Sequence, residues 1–281
     1  MGGSPRMSKQ PIGIFDSGIG GLSILSQIRE LLPNESLIYF ADQAHVPYGP
    51  RPLAEVRHFS MEITSYLLNR GAKCIVVACN TASAAALDHL RASFQDVPFV
   101  GMEPAVKPAA KVTDSGHIGV LATPATFEGE LFASVVARFA SGVEVHQRTA
   151  PGLVERIEQG DLRGPETRRL VRSAVQPLLD QGIDTLVLGC THYPYIMPLL
   201  EEFVGPEVRV IDPAPAIARQ TRRVLESNKL TAPAGSVGSI HYVTSGDPER
   251  MAELIHLLVG EPGELESIRW QDGQLPHEKF N

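Results

Sequence analysis

The chain has 281 residues, 43% of them hydrophobic and 20% charged, with a formal charge of −7 and three cysteines. That balance suits a folded globular protein and argues against a largely disordered chain, a general nucleic-acid binder or a membrane-surface binder, leaving a small molecule as the expected partner. No apolar run approaches the length of a bilayer span, and Met1 to Pro11 lacks the apolar core of a secretory signal. A cytoplasmic location is therefore expected, in which three cysteines stay as thiols rather than forming a disulfide framework.

Apolar, β-rich runs recur along the chain at Ile12 to Phe15, Ser36 to Ala41, Cys74 to Ala78, Val97 to Gly101, Ile118 to Ala122, Thr185 to Leu188 and Val208 to Ile211. Helical spacing separates them. Leu53, Val56, Ile63 and Leu67 precede a stop at Gly71, and Ala-rich stretches follow Thr81 and Pro213. The alternation predicts a parallel α/β protein, in which ligands bind in the loops after the carboxyl ends of strands.

The chain also resembles itself. Ile12 to Ser17 matches Ile118 to Thr123, Val76 to Thr81 matches Val187 to His192, and the strand ending at Glu103-Pro104 matches the one ending at Asp212-Pro213. The displacements are 106 (119 − 13), 111 (190 − 79) and 109 (213 − 104). Three ordered anchors at nearly one offset predict two similar α/β domains related by a pseudo-twofold, with the active site in the cleft between them. The strand at Ser239 to Thr244 and the helix at Pro248 to Leu258 have no counterpart in the second half. The first domain is therefore assigned to 1–103 plus 213–281, and the second to 104–212.

Cys79 and Cys190 occupy equivalent positions, each after an apolar strand and before a helix. Helix starts favour anions, a thiolate included, with Thr81 read as the N-cap of the first and Pro194 as suited to the first turn of the second. A free cysteine is usually a small buried hydrophobe, and Cys74, at the opening of its strand, is read that way. Matched placement of the other two favours chemistry, with the two thiols presented to opposite sides of one bound molecule. A redox relay would favour Cys-X-X-Cys spacing, which is absent.

Asp16-Ser17-Gly18-Ile19-Gly20-Gly21 opens a helix with an apolar face of Leu22, Leu25 and Ile28. Its glycines let backbone amides approach an anion, and Asp16 can bind an ammonium group or assist a proton transfer. Ser23 stands where G-x-G-x-x-G needs its third glycine, which weakens a dinucleotide reading. Val46-Pro47-Tyr48-Gly49-Pro50 is a rigid loop offering a hydroxyl and an amide. Thr123 and Thr126 are placed either to bond a carboxylate or to cap a helix. His192, two residues beyond Cys190, is a proton partner by position and by its near-neutral pKa. The other histidines show no H-E-x-x-H or similar ligand spacing, so no metal is expected.

The motifs Gly13 to Gly21, Val46 to Gly49, Ala78 to Ser83 and Leu188 to Pro194 together closely resemble glutamate racemases, in order and spacing, from Ile12 to about Pro213. The resemblance implies interconversion of L- and D-glutamate without pyridoxal phosphate or any other cofactor, in a homodimer that supplies D-glutamate for peptidoglycan. It implies that Cys79 and Cys190 are the acid/base pair, assisted by Asp16 and His192 respectively. It further implies that Asp16, Ser17, Tyr48, Gly49, Asn80, Thr81, Thr191 and His192 bind substrate, with Thr123 and Thr126 as further contacts and Glu155 as a partner of His192. Aspartate racemases typically carry glutamate where His192 stands. Ala41 and Ala105 depart from a commoner glycine. A two-domain amino-acid binder without catalysis is the alternative, and it needs no cysteine pair at the cleft.

Overall fold

The computed structural model describes residues 7–276. Residues 1–6 of the segment read for a secretory signal, and 277–281 at the end of the first assigned domain, lie outside the described residues. Among the described residues there are ten strands: β1 (Ile12–Asp16), β2 (Leu37–Ala41), β3 (Cys74–Val77), β4 (Phe99–Gly101), β5 (His117–Ala122), β6 (Glu144–Arg148), β7 (Thr185–Gly189), β8 (Arg209–Ile211), β9 (Ile240–Thr244) and β10 (Glu264–Ser267). They form two parallel sheets, ordered β10-β9-β2-β1-β3-β4 and β6-β5-β7-β8. The order β2-β1-β3-β4 of the first recurs as β6-β5-β7-β8 in the second, so the molecule comprises two parallel-sheet α/β domains of one design. β9 and β10 extend the first sheet beyond β2.

β1, β2, β3 and β7 are buried along their whole length, as parallel strands covered by helices on both faces must be. Alternate residues feed different cores. Phe15, Ile75 and Val77 pack with Ile63 and Leu67 of helix Leu53–Asn69 and with Leu87 of helix Asn80–Ser93. Ile118, Val120 and Val187 pack against Val106, Phe132 and Val135. The opposite faces, with Ile12, Ile14 and Tyr39 on one sheet and Leu121, Leu186 and Leu188 on the other, belong to a single continuous cluster. The two domains thus share apolar core, which fixes the strand ends relative to one another. Among the described residues no helix is long and apolar enough to cross a membrane.

β6 and β10 are absent from the apolar runs of the sequence because they lie at sheet edges, where Glu144–Arg148 and Glu264–Ser267 alternate with solvent and carry charge. The edge strand β6 also brings two histidines together. Parallel pairing sets His117 opposite Glu144 and His146 opposite Gly119, so His117, Glu144 and His146 come together although their spacing matches no ligand motif.

Gly13 and Gly119 show how closely the halves correspond. A Cβ on Gly13 would meet Ile75, Ala72 and Leu67, and one on Gly119 would meet Leu186, Ile183 and Leu178. Each pair is separated by 111 residues (186 − 75, 183 − 72, 178 − 67), the offset of the cysteines. The neighbours differ in stiffness, since two of the three at Gly13 are Cβ atoms at 3.1 and 3.2 Å whereas those at Gly119 are all δ-methyl groups. Gly13→Ala is therefore expected to cost about 1–3 kcal/mol, as overpacking does, and Gly119→Ala less. Urea unfolding midpoints measure both, and equal losses would contradict the contact geometry.

Candidate active site

Cys79 ends the β3 segment and is itself the N-cap of helix Asn80–Ser93. Its backbone is extended, and Sγ accepts from the Ala82 amide at 3.4 Å. The expectation that Thr81 caps this helix is corrected accordingly: the helix starts one residue after the cysteine, so the thiol occupies the place that a serine or threonine hydroxyl usually takes. Thr81 instead sends Oγ1 to Thr123 Oγ1 of the other domain at 2.8 Å, and Thr123 continues to Thr126 Oγ1 at 2.9 Å while capping helix Pro124–Glu128.

Cys190 follows β7 directly, with Sγ 3.7 Å from His192 Nδ1. The other ring nitrogen, Nε2, lies 2.6 Å from Glu158 Oε1, at the end of helix Leu153–Glu158. The partner of His192 is thus Glu158 rather than Glu155. The two glutamates are three residues apart on one helix, and the one at the carboxyl end reaches the ring while Glu155 lines an adjoining pocket.

The glycine-rich loop after β1 surrounds these groups. Asp16 is fully buried, with Oδ2 accepting from the amides of Gly21 at 3.0 Å and Gly18 at 3.3 Å, and with Oδ1 3.4 Å from the Thr191 hydroxyl. The Ile19 amide donates to Glu158 Oε1 at 2.8 Å. The anions that this loop receives therefore belong to the protein, and the glycines allow the domains to approach. A Cβ on Gly18 would overlap Glu158, and one on Gly20 would stand 2.5 Å from His192 Nδ1 and from Thr191 Oγ1.

A small cavity lies between the sheets. Cys79 and Cys190 both line it, with Ser17, Pro47, Tyr48, Gly49, Asn80, Thr81, Thr123, Val154, Thr191 and His192. Of the acid/base and substrate-contact residues expected from sequence, Asp16 and Thr126 stand behind this lining. The Tyr48 hydroxyl is committed, donating to Asp42 Oδ2 at 2.6 Å, and Asp42 also accepts from Ser245 and Trp270. Gly49 accepts from the Ala125 amide of the other domain. Asn80 is different: it is buried, yet neither its Oδ1 nor its Nδ2 has a partner among the described residues. Buried amides are almost always satisfied, so two open positions facing a cavity mark a place for a ligand.

The two sulfurs stand in unlike electrostatic surroundings. Burial and the Asp16 charge push the Cys79 thiol well above the ordinary range, against a smaller opposing pull from the Ala82 amide. Burial likewise raises Asp16, although the His192 cation and the Gly21 amide work the other way. For His192 burial disfavours the cation, but the Cys190 sulfur and the Glu158 carboxylate outweigh it, and the imidazole is held well above its usual value. Among the described residues no lysine or arginine lines the cavity, and His192 is the one cationic candidate.

Cys79, the N-cap of its helix and beside Asp16, and Cys190, directly after β7 and beside His192, thus line one cavity. Residues 12–221 match the Asp/Glu/Hydantoin racemase family, to which this chain belongs. The glutamate racemase of Roseiflexus sp. (strain RS-1) is 52% identical over 252 residues, covering 89% of this chain and 93% of the relative. Among solved structures, a glutamate racemase isoform from Bacillus anthracis superposes with a TM-score of 0.86 at 30% identity, over 95% of this chain and 99% of that one. Glutamate racemase from Francisella tularensis in complex with D-glutamate gives 0.83 at 29% identity, over 94% and 99%.

Glu158→Gln removes the carboxylate from Nε2, so the His192 titration midpoint is expected to fall toward the ordinary imidazole range, which a proton NMR titration of the ring reads directly. The sign for stability follows from linkage. A folded-state pKa above the unfolded value of about 6.5 means a contribution fully present below that pH and lost as pH rises through the folded value. The stability gap between wild type and variant should therefore narrow as pH rises into the alkaline range. An unmoved midpoint would leave Cys190 alone responsible for the shift.

Proposed function

We propose that this chain is a glutamate racemase that inverts the α-carbon by proton transfer between Cys79 and Cys190 and so supplies D-glutamate for peptidoglycan. The observation that carries the proposal is the shared lining: both sulfurs, the unpartnered Asn80 amide and the hydroxyls of Ser17, Thr81, Thr123 and Thr191 face one small buried space. The names of the similar proteins and the D-glutamate in the Francisella complex support the substrate.

An amino-acid α-proton is weakly acidic, and removing it without a cofactor needs a positioned base on one face and an acid on the other. The unlike surroundings of the sulfurs supply both at once. Cys190, beside the raised His192 imidazole, is the base for one enantiomer and abstracts the proton. Cys79, pushed up by burial and by Asp16, rests as the thiol and donates from the opposite face. For the other enantiomer the roles reverse: the Cys79 proton passes to Asp16, itself raised by burial, and His192 returns a proton to Cys190. Asn80, the threonine hydroxyls and the helix-start amides hold the carboxylates, using fixed dipoles where bulk water would compete. Such neutral donors fit a substrate that must become more negative in the transition state, because they stabilise the added charge without trapping the ground state.

Purified, reduced protein is expected to turn L-glutamate into a racemic mixture, followed by loss of circular dichroism, and to leave L-aspartate essentially unchanged. Cys79→Ser and Cys190→Ser should each lower kcat by about 10²–10⁴-fold, the usual worth of a general acid or base. Asn80→Ala should act more on KM. No turnover of glutamate would leave a binding protein in place of an enzyme, and a near-normal rate for either cysteine variant would remove that residue from the mechanism.

A further inference from the structure

We propose that His117, Glu144 and His146 form a binding site for a divalent transition cation of the zinc class, at the end of the second sheet remote from the cavity. β5 begins at His117 and finishes at Ala122, next to cavity-lining Thr123. The cluster is therefore separated from the cavity by a strand of six residues, roughly 16 Å at the rise of a parallel strand.

Three ligand atoms converge. His117 Nδ1 lies 3.1 Å from His146 Nε2 and 3.5 Å from Glu144 Oε2, and the latter two atoms are 3.8 Å apart. A triangle with those sides has a centre about 2.0 Å from every corner, which is the length of a zinc bond to imidazole nitrogen or carboxylate oxygen, about 2.0–2.2 Å. Hydrogen bonding alone explains the arrangement less well, because two imidazole nitrogens in contact share a single proton and the carboxylate oxygen then competes for it. The two rings are near-parallel, 18° apart.

The donor set narrows the ligand. Two imidazoles and one carboxylate suit zinc, copper or nickel ions, whereas magnesium and calcium take all-oxygen shells. Three protein ligands leave a fourth position for water, on the side where Glu144 is exposed. Bound there, the ion ties the edge strand β6 to β5, its neighbour in the sheet.

The test uses untagged full-length protein, stripped with a chelator, kept reduced, and titrated with Zn²⁺ against a chromophoric zinc indicator. Wild type should bind one equivalent more than His146→Gln, and Glu144→Gln should weaken that equivalent by at least about tenfold. Imidazole NMR signals of His117 and His146 should shift with the same equivalent, and circular dichroism checks that both variants are folded. Identical stoichiometry and affinity in wild type and His146→Gln would overturn the proposal. So would an equivalent lost only on Cys190→Ser, which would put the metal at the cavity instead.

Discussion

An imidazolium enclosed in protein is costly unless compensating groups are held beside it, and the Cys190 sulfur and the Glu158 carboxylate on the two ring nitrogens of His192 meet that condition here. Glu158 is fixed in turn by the Ile19 amide of the opposite domain. The protonation state of the site therefore depends on how the two domains meet. The glycines of the first loop allow that approach, because side chains at Gly18 and Gly20 would drive the Glu158 and His192 groups away.

Duplication supplies the geometry and departure from duplication supplies the chemistry. Repeating the strand order in both sheets puts an equivalent cysteine at each carboxyl edge, and a continuous apolar core locks the edges across one cavity. A perfectly symmetrical pair would carry the same charge on both sulfurs. The halves differ instead in what stands beside each thiol, with a carboxyl group, Asp16, near Cys79 and a cation, His192, near Cys190. That difference makes the two sulfurs unequal, as the proposed pairing of an acid with a base requires.

Much of this was legible in the residues. The buried strands announced themselves as apolar runs, with boundaries within two residues of those observed, because strands covered on both faces must be apolar throughout. The helix Pro248–Leu258 ran where its spacing placed it. The internal repeat was readable because equivalent residues pack equivalently, as Gly13 and Gly119 do. What was not legible depends on tertiary contact. Edge strands β6 and β10 carry too much charge to read as strands. Glu155 and Glu158 lie on one helical face, and only the docking of that helix decides which meets His192. Asn80 was singled out by its motif, but its lack of partners is a property of the fold. The histidine cluster joins residues nearly thirty positions apart through strand pairing, a distance at which no ligand spacing operates.

The account turns on two different groups handling the proton, one on each face of the carbon, and the fate of the α-hydrogen in heavy water reads this most directly. Starting from one enantiomer in D₂O and stopping after a few per cent conversion, the product should carry deuterium at the α-carbon while recovered substrate stays unlabelled, because the acid that delivers is not the base that removed. Product that keeps its original hydrogen, or substrate that gains label as fast as product forms, would mean that a single group serves both faces and would contradict the account.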